Sequence, residues 1–177
     1  YVGKVALAAV GSTGSLNFMI IGFGIGICSG FGIPIAQSFG GKKIKQMKEY
    51  IINAFYLCTI ITIVMTIVTV LLLPKILTWM QTPSNIYDQA YDYIVVIFLG
   101  LFATMIYNML ASILRAIGDS KTPLYFLILS SVINIALDLY FITQLNMGAA
   151  GAAYATVIAQ FISGIACYVY MKKKTDI

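Results

Sequence analysis

Asp138 is the single acid between Thr122 and Met171, lying inside Asn134-Ile135-Ala136-Leu137-Asp138-Leu139-Tyr140. An ionisable group deep in an apolar segment is costly and points first to an ion or proton pathway. At 1.5 Å per residue it sits roughly 22 Å from Pro123 and roughly 8 Å from the end of its helix near Thr143. Asn134 precedes it by four positions and shares its helix face. A following antiparallel helix, reflected about Met147, sets Thr156 level with Asp138 and Gln160 level with Asn134. Carboxylate, amide carbonyl and hydroxyl make an all-oxygen set suited to a hard monovalent cation. An isolated carboxyl there is equally a place for a proton. Asp138, Asn134, Thr156 and Gln160 could therefore line one cavity that holds a cation such as Na⁺ or a proton. Gln160 and Tyr140 are candidate lining. The bland reading is a buried acid hydrogen-bonded to Asn134 or Tyr140 for packing alone.

Other chemistry lacks its reagents. Histidine is absent, and Cys28, Cys58 and Cys167 stand far apart in apolar runs, so neither a His/Cys metal site nor a Ser-His-Asp triad is expected. The reading is of a non-enzyme without a cofactor. Gly22, Gly24, Gly26, Gly30 and Gly32 resemble a dinucleotide loop only superficially, because no strand precedes them. Helix packing through Gly26 and Gly30, in small-xxx-small spacing, is expected instead. Thr59, Thr62, Thr66 and Thr69 form one polar stripe, and Thr104, Asn108 and Ser112 another. Such stripes line wet pathways or join helices, which makes Asn108 a further candidate for cavity lining.

The elements that must position these residues follow from composition. Of 177 residues 60% are apolar and 10% charged, against about a quarter charged in soluble domains. Val5 to Gly41, Tyr50 to Pro74 and Tyr93 to Leu114 carry no charge. Each is long enough to cross a hydrocarbon layer of ~30 Å as a helix. Backbone groups in lipid must be satisfied within the segment, so the fold class is all-α, a polytopic membrane helix bundle. Five spans are predicted, at about 11–39, 50–73, 89–115, 123–143 and 150–171. Pro74 is expected to stop the second, with Lys75 to Met80 lying at the interface. Trp79, Tyr87, Tyr91 and Tyr93 read as an aromatic belt. The turn Gly118-Asp119-Ser120-Lys121-Thr122-Pro123 is expected to use Thr122 as cap and Pro123 as first helical residue, with local pairing among Arg115, Asp119 and Lys121.

Lysines and arginines set the orientation. Lys42, Lys43, Lys45 and Lys48 occupy the first connection, Lys75 the second, Arg115 and Lys121 the third, none the fourth, and Lys172 to Lys174 the end. The alternation places the first and third connections and the C-terminus in the cytoplasm and residue 1 outside, in a multi-pass protein of the cell membrane. The lysines flank spans without forming a patch with interleaved aromatics, which argues against nucleic-acid binding. The opening residue is Tyr1, not Met, and an odd number of spans starting outside implies an earlier one. The expectation is a piece of a longer protein with no visible domain boundary inside it.

Motif order then carries a resemblance. Val5-Ala6-Leu7-Ala8-Ala9-Val10-Gly11, Ala36-Gln37-Ser38-Phe39-Gly40, Leu114-Arg115-Ala116-Ile117-Gly118-Asp119-Ser120-Lys121-Thr122-Pro123, Asn134 to Asp138 and Gly148 to Thr156 together resemble the multidrug and toxic compound extrusion (MATE) family. The match is to its N-terminal lobe, from the second to the sixth helix, and covers essentially the whole chain. The resemblance implies twelve helices in two pseudo-symmetric lobes, exchanging entering Na⁺ or H⁺ for leaving cationic or amphipathic compounds by alternating access. It also implies a cation site of Asp138, Asn134 and Thr156, completed by an acid on a first helix. Ala116 and Leu139 depart from the family's usual Gly and Pro. The missing first helix and C-terminal lobe, the bilayer and small-molecule substrates are the implied partners. A lipid-linked oligosaccharide flippase shares the general plan but would carry basic residues for the diphosphate. A non-transporting membrane scaffold would explain the Gly and Thr stripes alone.

Overall fold

A computed structural model describes residues 4–174, arranged as six helices. They are α1 (Lys4–Gly40), α2 (Ile44–Trp79), α3 (Ser84–Leu99), α4 (Leu101–Ala116), α5 (Lys121–Thr143) and α6 (Gly148–Lys174). The orientation expected for residue 1 lies outside the described residues, as do residues 175–177. Four helices are long and apolar enough to span a membrane, and α3 with α4, bent by 45° at Gly100, makes a fifth span. Exposed Phe18, Phe23, Ile60, Leu71 and Leu139 give the bundle the apolar exterior that hydrocarbon tolerates.

Helix α4 is the hub, flanked by α1 and α6. Helix α2 packs on α1, α3 and α4, and α5 packs chiefly on α6. Two apolar cores stack along the bundle. One gathers Cys28, Ile35, Met47, Ile51, Met109 and Ile113 towards the lysine-bearing end. The other gathers Leu16, Leu73, Leu77, Ile94, Phe98 and Leu101 towards the opposite end.

Three expectations fail locally. Pro74 does not end its helix: α2 continues to Trp79. Proline removes one amide donor and crowds the preceding turn, but Leu73 and Leu77 are fully buried on the same face, and that packing holds the helix through it. Lys75 to Trp79 therefore continues α2, with Met80 at its C-cap. Next, Thr122 is not the cap of α5, and Pro123 is its third residue. Ser120 stands at the cap position without a side-chain bond. Asp119 does the capping instead, accepting from the Thr122 amide at 3.1 Å and the Thr122 hydroxyl at 2.8 Å. Gly118 makes this turn with φ +89°, where a side chain would be strained. Last, a Cβ at Gly26 or Gly30 would touch nothing within 4 Å, whereas one at Gly24 would meet Met105 Sδ at 2.5 Å and one at Gly32 would meet Ser112 Oγ at 2.5 Å. The small-residue face that packs is Gly24-Cys28-Gly32, and α4 selects it.

Gly100 explains the bend. A Cβ there would collide with both methyls of Val157 on α6. Its absence lets α6 press into the break between α3 and α4. Beside the break, the Thr66 hydroxyl reaches the Phe98 carbonyl at 3.4 Å. Thr59, Thr62 and Thr69 donate to carbonyls of their own helix, so one member of the threonine stripe joins helices and the rest do not.

Candidate functional site

The polar residues of α5 and α6 meet across their shared face. Asn134 Nδ2 donates to Thr156 Oγ1 at 3.3 Å, and Thr156 Oγ1 donates to the Ala152 carbonyl at 2.9 Å. The Asn134 carbonyl oxygen is thereby left with its lone pairs available. The register differs from reflection about Met147, which pairs Thr156 with Asp138. Gly151 packs on Phe141 and the Thr122 hydroxyl pairs with Tyr170 at 3.2 Å, contacts that centre the pairing on Asn146, and the Asn134–Thr156 bond centres it on Leu145. Asn134 consequently becomes the direct partner of Thr156, and Asp138 stands one turn further along α5.

Asp138 faces α3. Its carboxylate lies within electrostatic reach of the Tyr93 phenol, and the same phenol interacts with the side chain of Asn17 on α1. Asp138 Oδ1 and Asn17 Oδ1 are both buried without a hydrogen-bond partner. Unsatisfied buried oxygens are rare because each loses its hydration without replacement. Both residues act on the Tyr93 phenol, Asp138 through its charge and Asn17 through a side-chain hydrogen bond. Within this set the cross-helix hydrogen bond between α5 and α6 is Asn134–Thr156, while Tyr93 on α3 is linked to Asp138 only electrostatically, and Asn17 on α1 only through Tyr93.

Not every predicted member joins. Gln160 lies one turn beyond Thr156, and its Oε1 is also buried and unpartnered. Tyr140 is 53% exposed and its ring leans on Phe141, so it turns away. Asn108 donates to the Thr104 carbonyl at 2.8 Å and lines a groove with Arg115, Ser120 and Leu124 near the lysine-bearing end. It belongs to a different region from Asp138.

Asn17 and Tyr93 were missed by the sequence reading. Tyr93 reads as one of a belt with Tyr87 and Tyr91, whose rings do stack with centroids 6.5 Å apart. It differs from them in lying on the buried stripe of α3 with Ile86, Ala90, Ile94 and Ile97. That spacing is a usable signal. Asn17 is an amide inside a charge-free run, the same kind of signal that marks Asn134.

A bundle of helices long and apolar enough to cross a membrane, with one bent span and buried unpartnered side-chain oxygens on α1, α5 and α6, defines a polytopic membrane protein. Its family follows from comparison: the MatE family model matches residues 1–140, and the chain belongs to that family of multidrug efflux transporters. Probable multidrug resistance protein YoeA of Bacillus subtilis is 34% identical over 98% of this chain and 38% of its own length. A structure described as the inward-facing conformation of a multidrug resistance MATE family transporter of the MOP superfamily superposes with TM-score 0.91. It is 27% identical and is covered to 38%, with 96% of this chain matched. The outward-facing conformation of such a transporter also gives 0.91, at 27% identity, with 99% of this chain and 39% of that one matched. The chain thus spans well under half the length of the relatives it matches.

Proposed function

We propose that this chain is the second to sixth helices of the N-terminal lobe of a cation-coupled exporter, with Asp138 as the coupling carboxylate. The observation that carries the reading is the buried, unpartnered Asp138 Oδ1 one turn from the Asn134–Thr156 pair, within electrostatic range of Tyr93. A monovalent cation, Na⁺ or H⁺, satisfies such an oxygen. Asn134 and Thr156 supply neutral oxygens, and Asn17 and Tyr93 complete the surroundings from α1 and α3. Binding and release change the charge buried among four helices. That difference biases two arrangements of the whole protein, and an equilibrium can be shifted only by such differential binding. The exported compounds are cationic or amphipathic small molecules. The lysine-bearing ends lie in the cytoplasm and the protein resides in the cell membrane. The equal fit to inward- and outward-facing relatives supports a lobe that moves as a unit during alternating access.

The test is Asp138→Asn in the full-length protein. Coupled efflux is expected to be abolished with expression intact, and the thermal stabilisation that Na⁺ or acidification gives the purified wild type is expected to disappear. Undiminished transport by the variant would overturn the assignment.

A further inference from the structure

A second site lies away from Asp138. Cys28 on α1 and Cys58 on α2 are 1% and 4% exposed, and their sulfurs are 3.9 Å apart. Both are free thiols, and Cys28 Sγ also contacts the Met105 carbonyl at 3.6 Å. Cys58 lines a narrow crevice with Thr62, Phe102 and Met109. Met109 is fully buried. Phe102, also lining the crevice, is 43% exposed. Thirty residues of sequence separate these cysteines, yet the packing of α1 on α2 makes them a dithiol with a thioether close by.

We infer that Cys28 and Cys58 form a binding site for a soft monovalent d¹⁰ metal ion, Cu(I) or Ag(I), held at the α1–α2 interface. With metal–sulfur bonds of about 2.3 Å, a 3.9 Å sulfur separation gives an S–M–S angle of about 116°, between tetrahedral and trigonal. No large movement of either helix is needed. Sulfur donors select soft ions over hard ones. Zinc would require four ligands, and no group of three or more His, Cys, Asp or Glu side chains able to hold a metal occurs among the described residues. A soft monovalent ion accepts two or three sulfurs, which is what this core offers. The charge also balances. One thiol gives its proton to solvent as its sulfur binds the metal, the second donates a lone pair, and a single thiolate with a single cation leaves the apolar core neutral. No oxidant or reductant takes part. The consequence is a clip between α1 and α2.

Cys167, fully buried but without a second thiol beside it, is an internal control. Full-length protein is loaded with Ag(I) in halide-free buffer, desalted and assayed for bound silver by mass spectrometry. Cys28→Ser and Cys58→Ser are each expected to lower the retained silver by one equivalent, and Cys167→Ser to leave it unchanged. Equal retention by the Cys28→Ser/Cys58→Ser double variant, or an equal loss in Cys167→Ser, would overturn the site. The unaltered protein gives an independent reading with phenylarsine oxide, whose arsenic bonds two neighbouring thiols and releases its oxygen as water. Peptide mapping is expected to find the Cys28 and Cys58 segments joined through arsenic, and prior silver loading is expected to prevent it. Absence of the link, or a link indifferent to silver, refutes the proposal.

Discussion

Tyr93 separates two roles that Asp138 alone would confound. Its ring packs in the core with Ile94 and Phe98, while its phenol interacts electrostatically with Asp138 and with the side chain of Asn17. Tyr93→Phe keeps the ring and removes the hydroxyl. The variant is expected to fold like the wild type but to need about tenfold more Na⁺, or a tenfold higher proton concentration, for the same thermal stabilisation, roughly 1.4 kcal/mol of binding. A titration with unchanged midpoint would take Tyr93 out of the site. At Thr156 the hydroxyl is the variable. Thr156→Ser retains the Asn134 acceptor and should be near neutral. Thr156→Val deletes it and should cost about 0.6 kcal/mol, the mean for hydrogen bonds between membrane helices, read in an unfolding titration.

Among the helices, the bend at Gly100 makes the sharpest prediction. Val157 is β-branched and cannot swing aside as Met105 can opposite Gly24. Gly100→Ala is therefore expected to destabilise by about 1–3 kcal/mol, the usual range for overpacking, and Val157→Ala in the same chain to restore most of it. Gly26→Ala, which points into open space, should change little. Melting temperatures of the purified variants decide the matter. The all-helical class was legible from charge-free runs because lipid leaves the backbone no alternative to helix. The bend was hidden, since Gly100 sits within Tyr93 to Leu114 with no proline to mark it, and what breaks the helix is a side chain on α6. The glycine face was hidden for the same reason. Several pairs in GFGIGICSGFG have the right spacing, and only the position of α4 chooses among them. At the site, Asp138 and Asn134 stood out as polar residues one turn apart in an apolar run. Tyr93 and Asn17 depended on how α1 and α3 rotate towards α5, which belongs to tertiary packing.

Over the whole molecule, the same five spans superpose with TM-score 0.91 on both an inward-facing and an outward-facing relative. Distances within this chain should accordingly stay fixed while the transporter works. Spin labels at the exposed positions Ile60 on α2 and Leu129 on α5 of the full-length protein are expected to give one distance distribution with and without coupling ion or substrate. A shift between them would locate the motion inside the lobe. The clash that a side chain at Gly100 would make with Val157, the neighbour of Thr156, has a consequence for descent as well as for mechanics. Any lineage that acquires a larger residue at the first position has to shrink the second, so the two columns of an alignment should vary together, and ion preference should drift where they do.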